Sequence, residues 1–291
     1  MAIDSKTRLI TLLGYPLGHS LSPLIHNTAL EAQHVNMVYL CMPVPADHFR
    51  QAVQGLSRVG WVGSNVTIPH KQHAFELADE LSERAQAVGA VNTLVLTEGN
   101  GAEGPHLYGD NTDIKGFSDT LIEYHTQIQG GDVVVVGSGG SARAIVYALL
   151  TDYQPRHLTI AARSVKKAER LALAMNQYDT RDSLRTADIK HSEDSIRGCT
   201  LLVNTTPVGM HPNAHVSPVE NAALLDDVEI VYDLIYNPQK TELLSEAEKR
   251  GAVVIGGLEM LIRQAAASYV QWTGQEMPLD QVRNVVQEHL K

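Results

Sequence analysis

Three stretches of this chain carry side chains whose types and spacing suit chemistry. The first is Asp132-Val-Val-Val-Val-Gly-Ser-Gly-Gly-Ser-Ala-Arg143. Four β-branched residues suit a strand buried on both faces, and the apolar run to Leu150 suits a helix. Strand, glycine turn and helix are the context that gives Gly137-x-Gly139-x-x-Ala142 meaning. Gly137 would make the tight turn, Gly139 would let a pyrophosphate approach the backbone, and Ala142 would let helix pack on strand. With Ser138, Gly140 and Ser141 in the same turn, the free N–H groups of the helix start would hold an anion. This stretch predicts a dinucleotide site.

The second stretch offers hydroxyls. Ser22 precedes Pro23, which reads as a helix start with Ser22 as the cap. That leaves Ser20 unexplained, and two hydroxyls in one turn could grip a polyol or a carboxylate. The third offers a hydroxyl and an amine. Thr67 and Lys71 fall where a strand gives way to a helix, the position at which open α/β sheets hold ligands. The plain alternative for Lys71 is an exposed helix lysine. Asp113 opens a later helix, where a cap is the plain alternative. His70 and His73 lack a third metal ligand nearby and read as solvated helix residues, so no metal is expected.

These stretches need elements to hold them. At 291 residues and 44% hydrophobic content, two domains are expected. Strands alternate with helices, which implies open α/β sheets. Strands are expected at Arg8–Leu13, Val38–Met42, Gly63–Thr67, Gly89–Leu96 and His106–Tyr108, with a glycine-rich turn over Glu98–Pro105. The stretch Asp79–Val88 reads as one helix with Ser82 as a possible cap. Later strands are expected at Arg156–Ala162, at Thr200 onward, at Val228 onward and at Val253–Ile255. Tyr178–Ser195 reads as helix and loops, and the final helices as Leu258–Thr273 and Leu279–Leu290. The net charge of −10 argues against nucleic acid or an anionic membrane as a partner. Cys41 and Cys199 match no metal spacing and suit reduced thiols in the cytoplasm. The chain shows neither a signal-like start nor a membrane span.

Five separated segments resemble the shikimate dehydrogenase family. They are Gly14-Tyr-Pro-Leu-Gly-His-Ser-Leu-Ser-Pro23, Asn65-Val-Thr-Ile-Pro-His-Lys71, Val88-Gly-Ala-Val-Asn-Thr93, Gly109-Asp-Asn-Thr-Asp113 and Gly257-Leu-Glu-Met-Leu-Ile-Arg-Gln264. They keep the family's order and span nearly the whole chain. The resemblance implies an N-terminal open α/β substrate domain, residues 1–112, on which the C-terminal helices 258–291 pack back. It implies a C-terminal Rossmann-like, doubly wound dinucleotide domain over residues 113–257. Ser20 and Ser22 match hydroxyls that hold a substrate carboxylate, and Thr67, Asn92, Tyr236 and Gln264 match further substrate contacts. Lys71 and Asp113 match the catalytic pair, which also touches substrate. The implied reaction is reversible, NADP-dependent reduction of 3-dehydroshikimate to shikimate in aromatic biosynthesis, by a cytoplasmic monomer or homodimer.

The residues also bear on the cofactor. An NAD site carries Asp or Glu at the end of its second strand, bonding the ribose 2′-hydroxyl. Here the chain gives Ala162-Arg163-Ser164, then Lys166 and Lys167, a set that suits a 2′-phosphate. The family's usual asparagine before the arginine is Ala162. Thr205, Leu234 and Gly257 end later strands and are expected beside the cofactor. Two alternatives are a quinate/shikimate dehydrogenase using NAD and a non-catalytic nucleotide-binding homologue.

Overall fold

The computed structural model describes residues 3–18, 20–97 and 105–290. The chain divides into two compact units, Met1–Thr112 with Ile262–Lys291, and Asp113–Leu261. The strands are β1 (Arg8–Gly14), β2 (Met37–Pro43), β3 (Trp61–Val66), β4 (Glu80–Leu81), β5 (Thr93–Thr97) and β6 (His106–Asp110), then β7 (Asp132–Val136), β8 (His157–Ala162), β9 (Leu184–Asp188), β10 (Leu201–Asn204), β11 (Ile230–Asp233) and β12 (Val253–Gly256).

The first unit holds a mixed sheet of order β2-β1-β3-β5-β6-β4. β1 runs parallel to both β2 and β3, while β5 lies antiparallel to β3 and to β6. Its core gathers Leu13, Phe49, Trp61, Val66, Val91 and Leu94. Because the chain leaves β1 to build strands on either side of it, the carboxyl ends of β1 and β3 form a switch point. The Ser20–Ser22 turn follows β1, and Thr67 and Lys71 follow β3.

The second unit is a wholly parallel sheet of order β12-β11-β10-β7-β8-β9. This is the doubly wound order, with its switch point between β7 and β10. Val133 to Val136 are buried, as a central parallel strand requires.

Three local expectations are corrected, and one cannot be compared. The stretch Asp79–Val88 is a two-residue strand followed by a helix at Glu83–Val88, with Ser82 accepting the Ala85 N–H at the break. Within the stretch read as helix and loops lies β9, paired with β8 at the sheet edge; its partly exposed, mixed-polarity residues lack a strand's buried signature. Ser22 is the first helical residue behind Leu21, and it is Ser20 Oγ that accepts the Ser22 N–H at 3.2 Å. The turn expected at Glu98–Pro105 lies outside the described residues, apart from Pro105.

Candidate active site

In the first unit, Lys71 opens the helix Lys71–Leu77. Its carbonyl accepts the Val91 N–H at 2.9 Å, which ties the helix start to the segment carrying Asn92. The residue before it, His70, is fully buried rather than solvated as expected. Its Nε2 lies 2.6 Å from the Val44 carbonyl and therefore donates, and its ring stacks on Phe49 at 4.5 Å between centroids. Burial lowers the His70 pKa, and the bond to the Val44 carbonyl works against that fall. Lys71 is thus held by a buried neighbour and by its own backbone. His73 is exposed, and no metal-holding group occurs among the described residues.

Asn92 is buried and uses both ends of its amide. Nδ2 donates to Thr112 Oγ1 at 3.0 Å and faces Gln264 Oε1 at 3.4 Å, while Oδ1 accepts the Thr112 N–H at 2.8 Å. The structure therefore brings Asn92 and Gln264 together. Ser268, one helical turn after Gln264, sits between Asn65 Nδ2 (2.9 Å), Thr93 Oγ1 (2.8 Å) and Thr112 Oγ1 (3.1 Å). Asn65 in turn accepts from Tyr39 Oη at 2.9 Å. Sequence reasoning does not single out Asn65, Thr93, Thr112 or Ser268, although a polar Asn65 inside an apolar strand is a usable signal.

Ser22 is buried, Ser20 is half-buried and Thr67 is half-buried. Asp110, just before the Asn111-Thr112-Asp113 stretch, is gripped by Arg84 Nε at 2.7 Å and Nη2 at 2.5 Å, and by Ser82 and Gln271. Burial works to raise this carboxyl, but Arg84 and Ser82 outweigh it and hold it below the usual carboxylate range. Asp113 belongs to the second unit, in the first turn of the helix Thr112–Ser118, and is largely buried.

In the second unit Gly137 has φ +119°, and a Cβ there would collide with Thr205 Oγ1. Thr205 Oγ1 donates to the Val136 carbonyl at 2.7 Å, so the ends of β7 and β10 are clamped together at the switch point. The Gly137 N–H donates to the Ala161 carbonyl at 2.8 Å, which sets the end of β8 beside the same turn. Ala162 is buried, Arg163 and Lys167 are exposed, and Ser164 caps the next helix by position without a side-chain bond. An added Cβ at Gly139 or Gly140 would meet nothing within 4 Å, and the helix Gly140–Ala148 has no side-chain cap. Open space over an uncapped helix N-terminus fits a pyrophosphate, and an exposed guanidinium at the end of β8 fits a 2′-phosphate. Gly257 packs so closely on Leu234 that a Cβ would collide with the Leu234 carbonyl. Tyr236 follows, half-buried.

A doubly wound sheet with a glycine turn at its switch point, joined in one chain to an α/β unit lined with hydroxyls and amides, defines a two-unit dinucleotide-type α/β protein. Comparison with known proteins narrows this. The shikimate dehydrogenase substrate binding domain matches residues 12–94, and the shikimate 5′-dehydrogenase C-terminal domain matches residues 257–287. The NADP(+) shikimate dehydrogenase of Salinibacter ruber is 46% identical over 96% of each chain. A shikimate dehydrogenase solved in complex with NADP+ superposes with TM-score 0.90 at 35% identity, covering 100% of this chain and 98% of that one. The enzyme from Thermus thermophilus, solved with NADP(H) and shikimate, gives TM-score 0.82 at 30% identity over 97% of this chain and 99% of its own. The chain belongs to the shikimate dehydrogenase family.

Proposed function

We propose that this protein catalyses the reversible, NADP-dependent interconversion of 3-dehydroshikimate and shikimate. The observation that carries this reading is the pairing of two features in one chain. One is Lys71, anchored beside the Asn92–Gln264 pair; the other is an open glycine turn with Arg163 at the end of the adjacent strand.

The proposed roles follow from chemical type. Ser20 and Ser22 bind the substrate carboxylate, and Thr67, Asn92, Gln264 and Tyr236 bind its hydroxyls. Lys71 holds the proton for the ketone oxygen and stabilises negative charge there, and Asp113 binds a substrate hydroxyl. Gly137 to Ala142 receive the pyrophosphate, while Ala162, Arg163, Ser164 and Lys167 surround the 2′-phosphate. Thr205, Leu234 and Gly257 flank the nicotinamide, which when bound supplies or takes up a hydride. The substrate domain comprises 1–112 with the C-terminal helices, and the NADP domain comprises 113–257. A biosynthetic role suits a cytoplasmic enzyme, and a monomer or homodimer suits its size; sedimentation would separate the two assemblies.

The test is steady-state kinetics of Arg163→Ala with both cofactors. The expected outcome is a raised KM for NADP, by roughly tenfold as for loss of a charge-assisted contact, with KM for NAD hardly changed. Equal effects on both cofactors would remove Arg163 from the 2′-phosphate.

A further inference from the structure

Behind the glycine turn, at the ends of β10 and β11, lies a fully buried carboxylate that the proposed reaction does not use. Asp233 is 0% exposed. Its Oδ1 accepts from Asn204 Nδ2 at 3.0 Å and from the Ile235 N–H at 3.1 Å, and its Oδ2 accepts from Thr241 Oγ1 at 2.7 Å. Burial pushes this carboxyl up to about 6, and hydrogen bonds from Thr241, Ile235 and Asn204 work against that rise.

The bonds around it run in one direction. Asn204 Nδ2 donates both to Asp233 and to the Val208 carbonyl at 3.2 Å, and Asn204 Oδ1 accepts the Thr206 N–H at 3.0 Å and Thr206 Oγ1 at 2.7 Å. Thr206 Oγ1 then accepts the Val208 N–H at 3.2 Å. An acceptor-only carboxylate forces the amide nitrogen of Asn204 toward itself. That leaves the amide oxygen, and no other atom, facing Thr206. At the other end, Thr241 is the cap of the helix Glu242–Lys249.

We infer that Asp233 is a positioning residue for the cofactor: through this one-way chain it sets the shape of the Asn204–Val208 loop and of the Leu234–Tyr236 turn. Those two segments carry Thr205, whose hydroxyl clamps the glycine turn, and Leu234, against which Gly257 packs. A neutral amide at position 233 would present an N–H to Thr241 or to Asn204 and reverse the chain's polarity at that point. The inference rests on the proposed cofactor reading and adds a residue that touches neither ligand.

The experiment uses the full chain and titrates NADP directly by calorimetry, alongside kcat, both KM values and the thermal midpoint. Thr241→Val, which removes the hydroxyl's bond to Asp233 together with its helix-cap bond from the Leu244 N–H, is expected to weaken NADP binding about fivefold, with KM for shikimate hardly moved. Thr241→Ser, which keeps the hydroxyl, is expected to restore binding. Asp233→Asn is expected to weaken NADP by tenfold or more; if it does not fold, the Thr241 pair carries the test. A purely structural role would lower the thermal midpoint and leave the dissociation constant alone, and that result in Thr241→Val overturns the inference. Wild-type chain that binds no NADP would overturn the cofactor reading and this inference together. Wild-type binding with unchanged variants would overturn the inference alone.

Discussion

Lowering the pH from 7.5 to 5 should destabilise this protein through one histidine, His26. It is fully buried, its ring stacks on Tyr39 at 4.3 Å, and burial outweighs a side-chain hydrogen bond with Asn65 that works to raise its pKa. Burial pushes its pKa from 6.5 down to about 3, so the folded protein holds it neutral. The unfolded chain takes up a proton below 6.5 and the folded chain does not until about 3. Stability from this site is therefore complete above the unfolded value and is lost as pH falls toward the folded one. At pH 5 the gap is one and a half units at ~1.4 kcal/mol each, a loss of about 2 kcal/mol. That figure depends on the unfolded value alone, because pH 5 lies well above the folded one. The assay is urea denaturation at both pH values for the wild type and for His26→Phe, which keeps an aromatic ring in the stack. The other titrating groups are common to both proteins and cancel in the difference. The wild type should lose about 2 kcal/mol more than the variant, and equal losses would refute the reasoning.

Three further outcomes follow from named contacts. Lys71→Ala should lower kcat by roughly two orders of magnitude or more in a folded protein, as for loss of a positioned acid; stopped-flow or steady-state rates would show it. Gly137→Ala should destabilise the chain by about 1–3 kcal/mol and weaken NADP, because φ is +119° and the added Cβ would meet Thr205 Oγ1; thermal unfolding and NADP titration check both. Ser268→Ala should cost about 1–3 kcal/mol, since Asn65, Thr93 and Thr112 lose a shared partner in a buried network, and denaturant titration measures it.

The glycine turn is legible in the sequence because its signal is local: four valines, Gly137, Gly139 and a helix lie close together along the chain. The alternation of strand and helix is legible for the same reason, and the two sheets follow it. The Ser20–Ser22 turn is legible as a helix start but not in detail, because which hydroxyl accepts the backbone N–H depends on a shift of one or two residues at the helix end. His70 reads wrongly from sequence because a histidine beside a lysine looks solvated, and only the packing of Phe49 and the Val44 carbonyl shows otherwise. The Ser268 network joins residues more than 150 positions apart, and no local pattern carries such a pairing. The Asp233 chain is shorter in sequence, but its direction is set by burial, which sequence does not show.

The measurement that bears most directly on the central claim is initial-rate oxidation of shikimate and of quinate, each with NADP and with NAD. The account predicts a kcat/KM that strongly favours shikimate with NADP. Turnover of quinate at a comparable rate, preference for NAD, or no turnover in any pairing would contradict it.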